Sequence, residues 1–205
     1  MARRHSSRRS ATWCGLLACA LVLAMAAQAQ AAPADFGGSF ANTGRSTLIQ
    51  PGGKVLVVGR SGNDFGLARY TADGALDKTF SGDGKLHTDF SKRADVARAV
   101  VVQTDGKILV AGNAGKDFAL ARYTADGTLD QSFSGDGKLT TDFAHRADSA
   151  RAVSVRTDGR ILVAGRSGKA LALARYTAGG KLDLSFSHDG KLTSFIGGSD
   201  DGQSI

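Results

Sequence analysis

Beyond residue 43 the chain runs in short apolar blocks separated by clusters of glycine and aspartate, with no apolar period of 3.6 residues. Short blocks rich in Val, Ile, Leu and aromatic residues predict β-strands, and the Gly/Asp clusters predict tight turns. The segments 98–103 (RAVVVQ), 107–112 (KILVAG), 118–124 (FALARYT) and 138–143 (KLTTDF) are four strand candidates in succession. TDGK, between the first two, reads as a hairpin turn in which aspartate bonds its own backbone and glycine supplies a positive φ. TADGT and SGDGK turn the chain again. Helix content should be close to nil.

In the first three blocks both faces are apolar, since Ile108 and Val110 alternate with Leu109 and Ala111. Strands of that kind are covered on both sides. The fourth block sets Leu139, Thr141 and Phe143 against Thr140 and Asp142, as an outer strand half in water would. The whole pattern recurs. Tyr70, Tyr123 and Tyr176 lie 53 residues apart, as do Gly53, Gly106 and Gly159, and 37 of the 49 residues in 68–116 are repeated in 121–169. A period near fifty indicates a propeller or a solenoid rather than a single core. The expected fold is all-β, with three tandem four-stranded antiparallel blades of an open or incomplete β-propeller at 44–96, 97–149 and 150–196. A β-solenoid is the alternative.

The first residues are of another kind. Arg3, Arg4, Arg8 and Arg9 precede an apolar run over 13–27, and AQAQAAPAD follows with small residues suited to signal peptidase. Residues 1–31 therefore read as a signal peptide, cut after Ala29 or Ala31. The apolar run falls short of the roughly twenty residues of a bilayer span, so no span is expected after cleavage. The mature protein should be secreted or periplasmic, by the general secretory or the twin-arginine route. Leu16, Leu17, Ala18 and Cys19 offer the alternative of a lipid anchor at Cys19, although the apolar run continues past it. Residues 32–43 form a linker. Residues 197–205 read as the start of a truncated further repeat, with Asp201 at the phase of Asp95 and Asp148.

Removing the signal takes Cys14, Cys19, Trp13 and four arginines, and net charge falls from +7 to +3. Disulfide and thiol chemistry leave with it. The basic excess belongs largely to the export signal, so no nucleic-acid partner is expected.

The combination DGKILVAG…DFALARYTADGTLDQSFSGDGKLTTDF resembles the delta-60 repeat, a β-propeller repeat of largely unknown function found in exported bacterial proteins. The resemblance covers 44–196 and is strong in the second and third units. It implies a blade-forming repeat and an extracytoplasmic location, and no particular reaction. Three units are fewer than the usual long arrays.

Catalytic motifs are missing: there is no G-x-S-x-G, no H-E-x-x-H and no glutamate. His87, His145 and His188 occupy three different phases of the repeat and read as surface residues. All 19 acids are aspartate, mostly beside glycine in turns. Asp77 and Asp83, repeated as Asp130 and Asp136 and as Asp183 and Asp189, bracket a glycine-containing loop and are weak calcium candidates. Calcium needs six to eight oxygens, and the dense spacing of a known calcium loop is absent. No other cofactor is expected.

Arg69, Arg122 and Arg175 recur inside apolar strands, where a guanidinium must be paired. Asp77, Asp130 and Asp183 are the candidate partners, with Asp89 and Asp142 as the other set. One internal Arg–Asp bridge per blade is the expected role, with Tyr70, Tyr123, Tyr176, Gly106 and Gly159 as further structural positions. Arg45, Arg98 and Arg151, at the start of each innermost strand, are better placed to face an anionic ligand.

The expected function is that of an exported, non-enzymatic binding or scaffold module for a protein or carbohydrate ligand. One alternative is a fragment of a longer array without independent function. The other is a propeller-fold hydrolase or lyase, disfavoured because enzymes need unique residues and these loops are copies. Three blades leave two apolar end faces, so two chains closing head-to-tail into a six-bladed homodimer are a further expectation.

Overall fold

The computed structural model describes residues 43–90 and 93–195. Within them the chain forms strands and no helix, and so none long and apolar enough to cross a membrane. The expected signal peptide with Cys19, the expected linker at 32–43 except for Thr43, and the expected tail at 197–205 lie outside the described residues.

The first sheet contains β1 (Thr43–Ile49), β2 (Val55–Ser61), β3 (Asp64–Tyr70) and β4 (Lys85–Thr88). The second contains β5 (Asp95–Val102), β6 (Ile108–Ala114), β7 (Asp117–Tyr123) and β8 (Lys138–Thr141). The third contains β9 (Asp148–Val155), β10 (Ile161–Ser167), β11 (Ala170–Tyr176) and β12 (Lys191–Ser194). Each sheet is antiparallel with its strands in chain order. These are three four-stranded blades of a β-propeller. The register repeats from blade to blade, Leu56 opposite Arg69, Leu109 opposite Arg122 and Leu162 opposite Arg175.

The first strands of successive sheets pack side by side, β1 on β5 and β5 on β9. They therefore form the inner edge. Between the sheets lie two hydrophobic layers. In the first, Leu56, Val58, Phe65 and Leu67 meet Ile108, Val110, Ala119 and Tyr123. In the second, Leu109, Phe118 and Leu120 meet Ile161, Val163, Ala172 and Tyr176. The two faces of β6 thus feed two different cores. Each large side chain buried there contributes roughly 1.5–3 kcal/mol, against about 1 kcal/mol for a typical hydrogen bond, so packing dominates the blade-to-blade contact.

Local details depart from the pattern-based boundaries. β5 begins at Asp95, before the RAVVVQ block, because 95–97 continue the pairing with β6 beyond a bulge. β8 stops at Thr141, because the Phe143 amide donates to the Asp148 carboxylate at 2.7 Å instead of to a neighbouring strand. Coverage on both faces holds for β6 and β7, whereas β11 alternates buried and half-buried positions.

Candidate functional site

Repeated side chains do two different jobs, joining blades and lining the inner edge. The joining set centres on the arginines of the third strands. Arg69 Nε donates to Asp77 Oδ2 at 2.8 Å, Arg122 to Asp130 at 2.8 Å and Arg175 to Asp183 at 2.8 Å. Each guanidinium lies over a ring, of Phe80, Phe133 and Phe186 respectively, 4.6–4.8 Å from its centre. Arg69 Nη1 also donates to the Ala125 carbonyl of the next blade at 2.6 Å, and Arg122 Nη1 to that of Ala178 at 2.6 Å. The bridge thus reaches across the seam as well as within the blade. A second cation, which the strand pattern gave no reason to single out, approaches each aspartate: Lys54, Lys107 and Arg160. Their common 53-residue phase was the available signal.

These contacts set the aspartate ionisation. Lys54 and then Thr79 hold Asp77 well below the usual carboxylate range. Burial pushes Asp130 upward, but the Ser132 hydroxyl and amide and Arg122 outweigh it and hold the group at about 2. The Ser185 hydroxyl, with Arg175, lowers Asp183 to about 2. The tyrosines complete the seams. Tyr123 and Thr88 share a hydrogen bond of 2.7 Å, and Tyr176 donates to Thr141 at 2.8 Å. Burial raises the pKa of both phenols, and Tyr70 stands at the same phase in the first blade. Gly106 and Gly159 occupy their hairpin turns at φ of 82° and 81°.

The inner-edge set is built on bulges. Pairing shifts between Gly44 and Ser46, between Ala97 and Ala99, and between the partners Ala150 and Ala152 of β9. The extra residue in each case is an arginine: Arg45, Arg98 and Arg151. A bulge re-aims its side chain and twists the strand. It also brings backbone close to the facing strand, and that explains the glycine opposite. A Cβ on Gly112 would sit 1.9 Å from the Val96 carbonyl oxygen, and one on Gly59 or Gly165 would sit 2.1 Å from that of Thr43 or Ser149. Arg45 is exposed, while Arg98 and Arg151 are half-buried. Arg98 Nε donates to Asn113 Oδ1 at 3.1 Å.

The calcium candidates of the sequence take up other duties. Asp77, Asp130 and Asp183 are the arginine partners, and Asp83, Asp136 and Asp189 accept the amides of Lys85, Lys138 and Lys191 at 2.8–2.9 Å. Among the described residues, the acids that gather are instead Asp64, Asp89 and Asp95, and Asp117, Asp142 and Asp148. His87, His145 and His188 are all exposed, and His145 Nδ1 lies 2.8 Å from Asp142 Oδ2 at the edge of the second group. At the outer edge of the second seam, Phe143, Arg146, Ser167, Asp189 and Lys191 help line a depression of about 230 Å³. That is below the roughly 300–1,000 Å³ of ordinary small-molecule sites.

Residues 50–80, 103–133 and 156–186 each match the model of a family described as "Domain of unknown function (DUF5122) beta-propeller". A protein of unknown function from Bacteroides caccae is similar among solved structures, with a TM-score of 0.48 at 14% identity over 76% of this chain. The chain spans 47% of that protein's length. No curated protein matches it.

Proposed function

We propose that this protein is an exported, non-enzymatic binding or scaffold module of the delta-60 type, which offers an anionic ligand one arginine per blade along its inner edge. The observation that carries the reading is the bulge at Arg45, Arg98 and Arg151, the same irregularity placed by the same register in all three blades. Bulges concentrate where a side chain has to be aimed, and three copies of one cation suit a ligand with repeated charge. An acidic polysaccharide has that chemistry. The wild-type protein should be retained on immobilised polygalacturonate and released by salt, because exposed charge pairs are screened. The triple variant Arg45→Ala, Arg98→Ala, Arg151→Ala should pass through while keeping its unfolding temperature within a few degrees. Equal retention of the two would remove the arginines from the function.

Export is part of this proposal and rests on the sequence of residues 1–31. N-terminal sequencing of protein secreted by a bacterial host should find a start near Ala32. A lipid-bearing Cys19 at the N-terminus would replace the soluble module with an anchored one.

A second reading is carried by where large apolar side chains are exposed. Ile49 lies on β1, and Leu184, Leu192 and Phe195 lie in the third blade. Large apolar side chains left in water at the two terminal blades favour association. Two copies meeting through these end faces would form a heterologous contact that closes by rotation. Light scattering should then give a dimer. A monomer at every concentration excludes the ring, and heterogeneous soluble aggregates favour a piece of a longer array.

A further inference from the structure

Two groups of three aspartates stand at the two seams, and they are copies. Asp64, Asp89 and Asp95 become Asp117, Asp142 and Asp148 on adding the repeat length of 53. In the first group Asp64 opens β3, Asp89 follows β4, and Asp95 opens β5 of the next sheet. Each group therefore joins two carboxylates of one blade to one of the following blade. One carboxylate oxygen of each residue lies within 4.8 Å of those of the other two. Two oxygens bound to one calcium ion at about 2.3–2.6 Å lie no more than about 5 Å apart, so the spacing is that of ligands around a common cation.

A second observation points the same way. Asp95 is 0% exposed and Asp148 3% exposed. Their Oδ2 atoms accept the Phe90 and Phe143 amides at 2.9 and 2.7 Å. Among the described residues, their Oδ1 atoms are buried with no hydrogen-bond partner. A buried acceptor left unsatisfied is costly, and each of these belongs to a carboxylate grouped with two others. A fold that repeats this arrangement at both seams has a use for it.

We propose that each seam binds a calcium ion, held by Asp64, Asp89 and Asp95 in the first and by Asp117, Asp142 and Asp148 in the second. The donors are all carboxylate oxygen, which suits a hard cation and not zinc or copper. Three carboxylates supply up to six oxygens, and water completes the shell on the side where Asp64 and Asp117 are half-buried. Among the described residues, two lysines approach these groups through backbone oxygens. Lys138 Nζ donates to the backbone oxygen of Asp89 at 2.9 Å and Lys191 Nζ to that of Asp142 at 3.2 Å. The His145 amide donates to Asp142 Oδ1 at 2.6 Å and its Nδ1 lies 2.8 Å from Oδ2; a carboxylate oxygen has a second lone pair for the metal. One further period leads to Ala170, Phe195 and Asp201, so the chain provides two complete sets. The bound ion ties the inner strand of one blade to the outer half of the blade before it.

Isothermal titration of calcium chloride into the chelator-stripped, purified protein tests this, with unfolding temperature as the second readout. The expected result is two ions per chain and a rise of roughly 5 °C in millimolar calcium. Asp64→Asn and Asp117→Asn should each remove one ion while leaving the buried aspartates in place. Should either fail to fold, Asp89→Asn and Asp142→Asn, nearer the solvent side, make the same test. Absence of binding heat and of any shift in millimolar calcium overturns the proposal, as does an unchanged stoichiometry in the variants. A calcium-indifferent protein that becomes more stable on Asp95→Asn at neutral pH also overturns it, because the orphan oxygen then carries a shared proton.

Discussion

The second and third sheets carry nearly the same strands and occupy different surroundings. ILVAG stands at both 108–112 and 161–165, yet Leu109 is fully buried while Leu162 is half-buried. Leu120 and Leu173 differ in the same way. The arginine side chain that bridges each blade is 6% exposed at Arg122 and 20% exposed at Arg175. The cause is what lies next door. Arg122 and its neighbours are closed over by the third sheet, through Ala178 among others. Among the described residues, the third sheet has one face on the second layer and no sheet on the other. Equal sequence therefore need not mean equal energetic weight.

Truncating the paired leucines gives the largest contrast. Leu109→Ala should cost about 3–4 kcal/mol in urea unfolding, and Leu162→Ala about 1 kcal/mol. Equal costs would mean that the outer face of the third sheet is covered in solution, as the head-to-tail dimer requires.

The bridging arginines come next. Arg122→Ala strands Asp130 beside the seam and should cost about 3 kcal/mol. Arg175→Ala should lose less than half of that, and Arg156→Ala, on an exposed side chain, should change little. Matching denaturation midpoints for Arg122→Ala and Arg156→Ala would refute the bridge. Retained stability with lost ligand binding in Arg122→Ala would move that arginine into the binding surface.

The smallest effect concerns acid, where the two blades should agree. Asp130 and Asp183 are both held at about 2, below the unfolded carboxylate value of about 3.9. A lowered folded pKa gives stability that is complete above roughly pH 4 and drains away as pH falls through about 2. Asp130→Asn and Asp183→Asn should each flatten the acid limb of unfolding temperature against pH. A steep limb surviving in both variants would place acid sensitivity elsewhere.

Much of this architecture could be read locally. Alternation at 138–143, apolar blocks at 107–112 and 118–124 and the TDGK turns act over neighbouring residues, so they specify strands, hairpins and repeat length without reference to the rest of the chain. The Arg–Asp bridge was legible too, because a guanidinium among leucines demands a partner and Asp77, Asp130 and Asp183 keep its period. The bulges at Arg45, Arg98 and Arg151 were not, since the facing glycine is distant in sequence and the pattern of ARAV continues smoothly through them. Nor were the aspartate triplets. Asp64, Asp89 and Asp95 each sit in what reads locally as a turn or strand end, and only strand pairing and the stacking of two sheets bring their oxygens within reach of one cation. Short-range pattern determined the blade. Which faces are buried, which carboxylates meet and which arginine is sealed depend on long-range neighbours, and those the tertiary structure alone supplied.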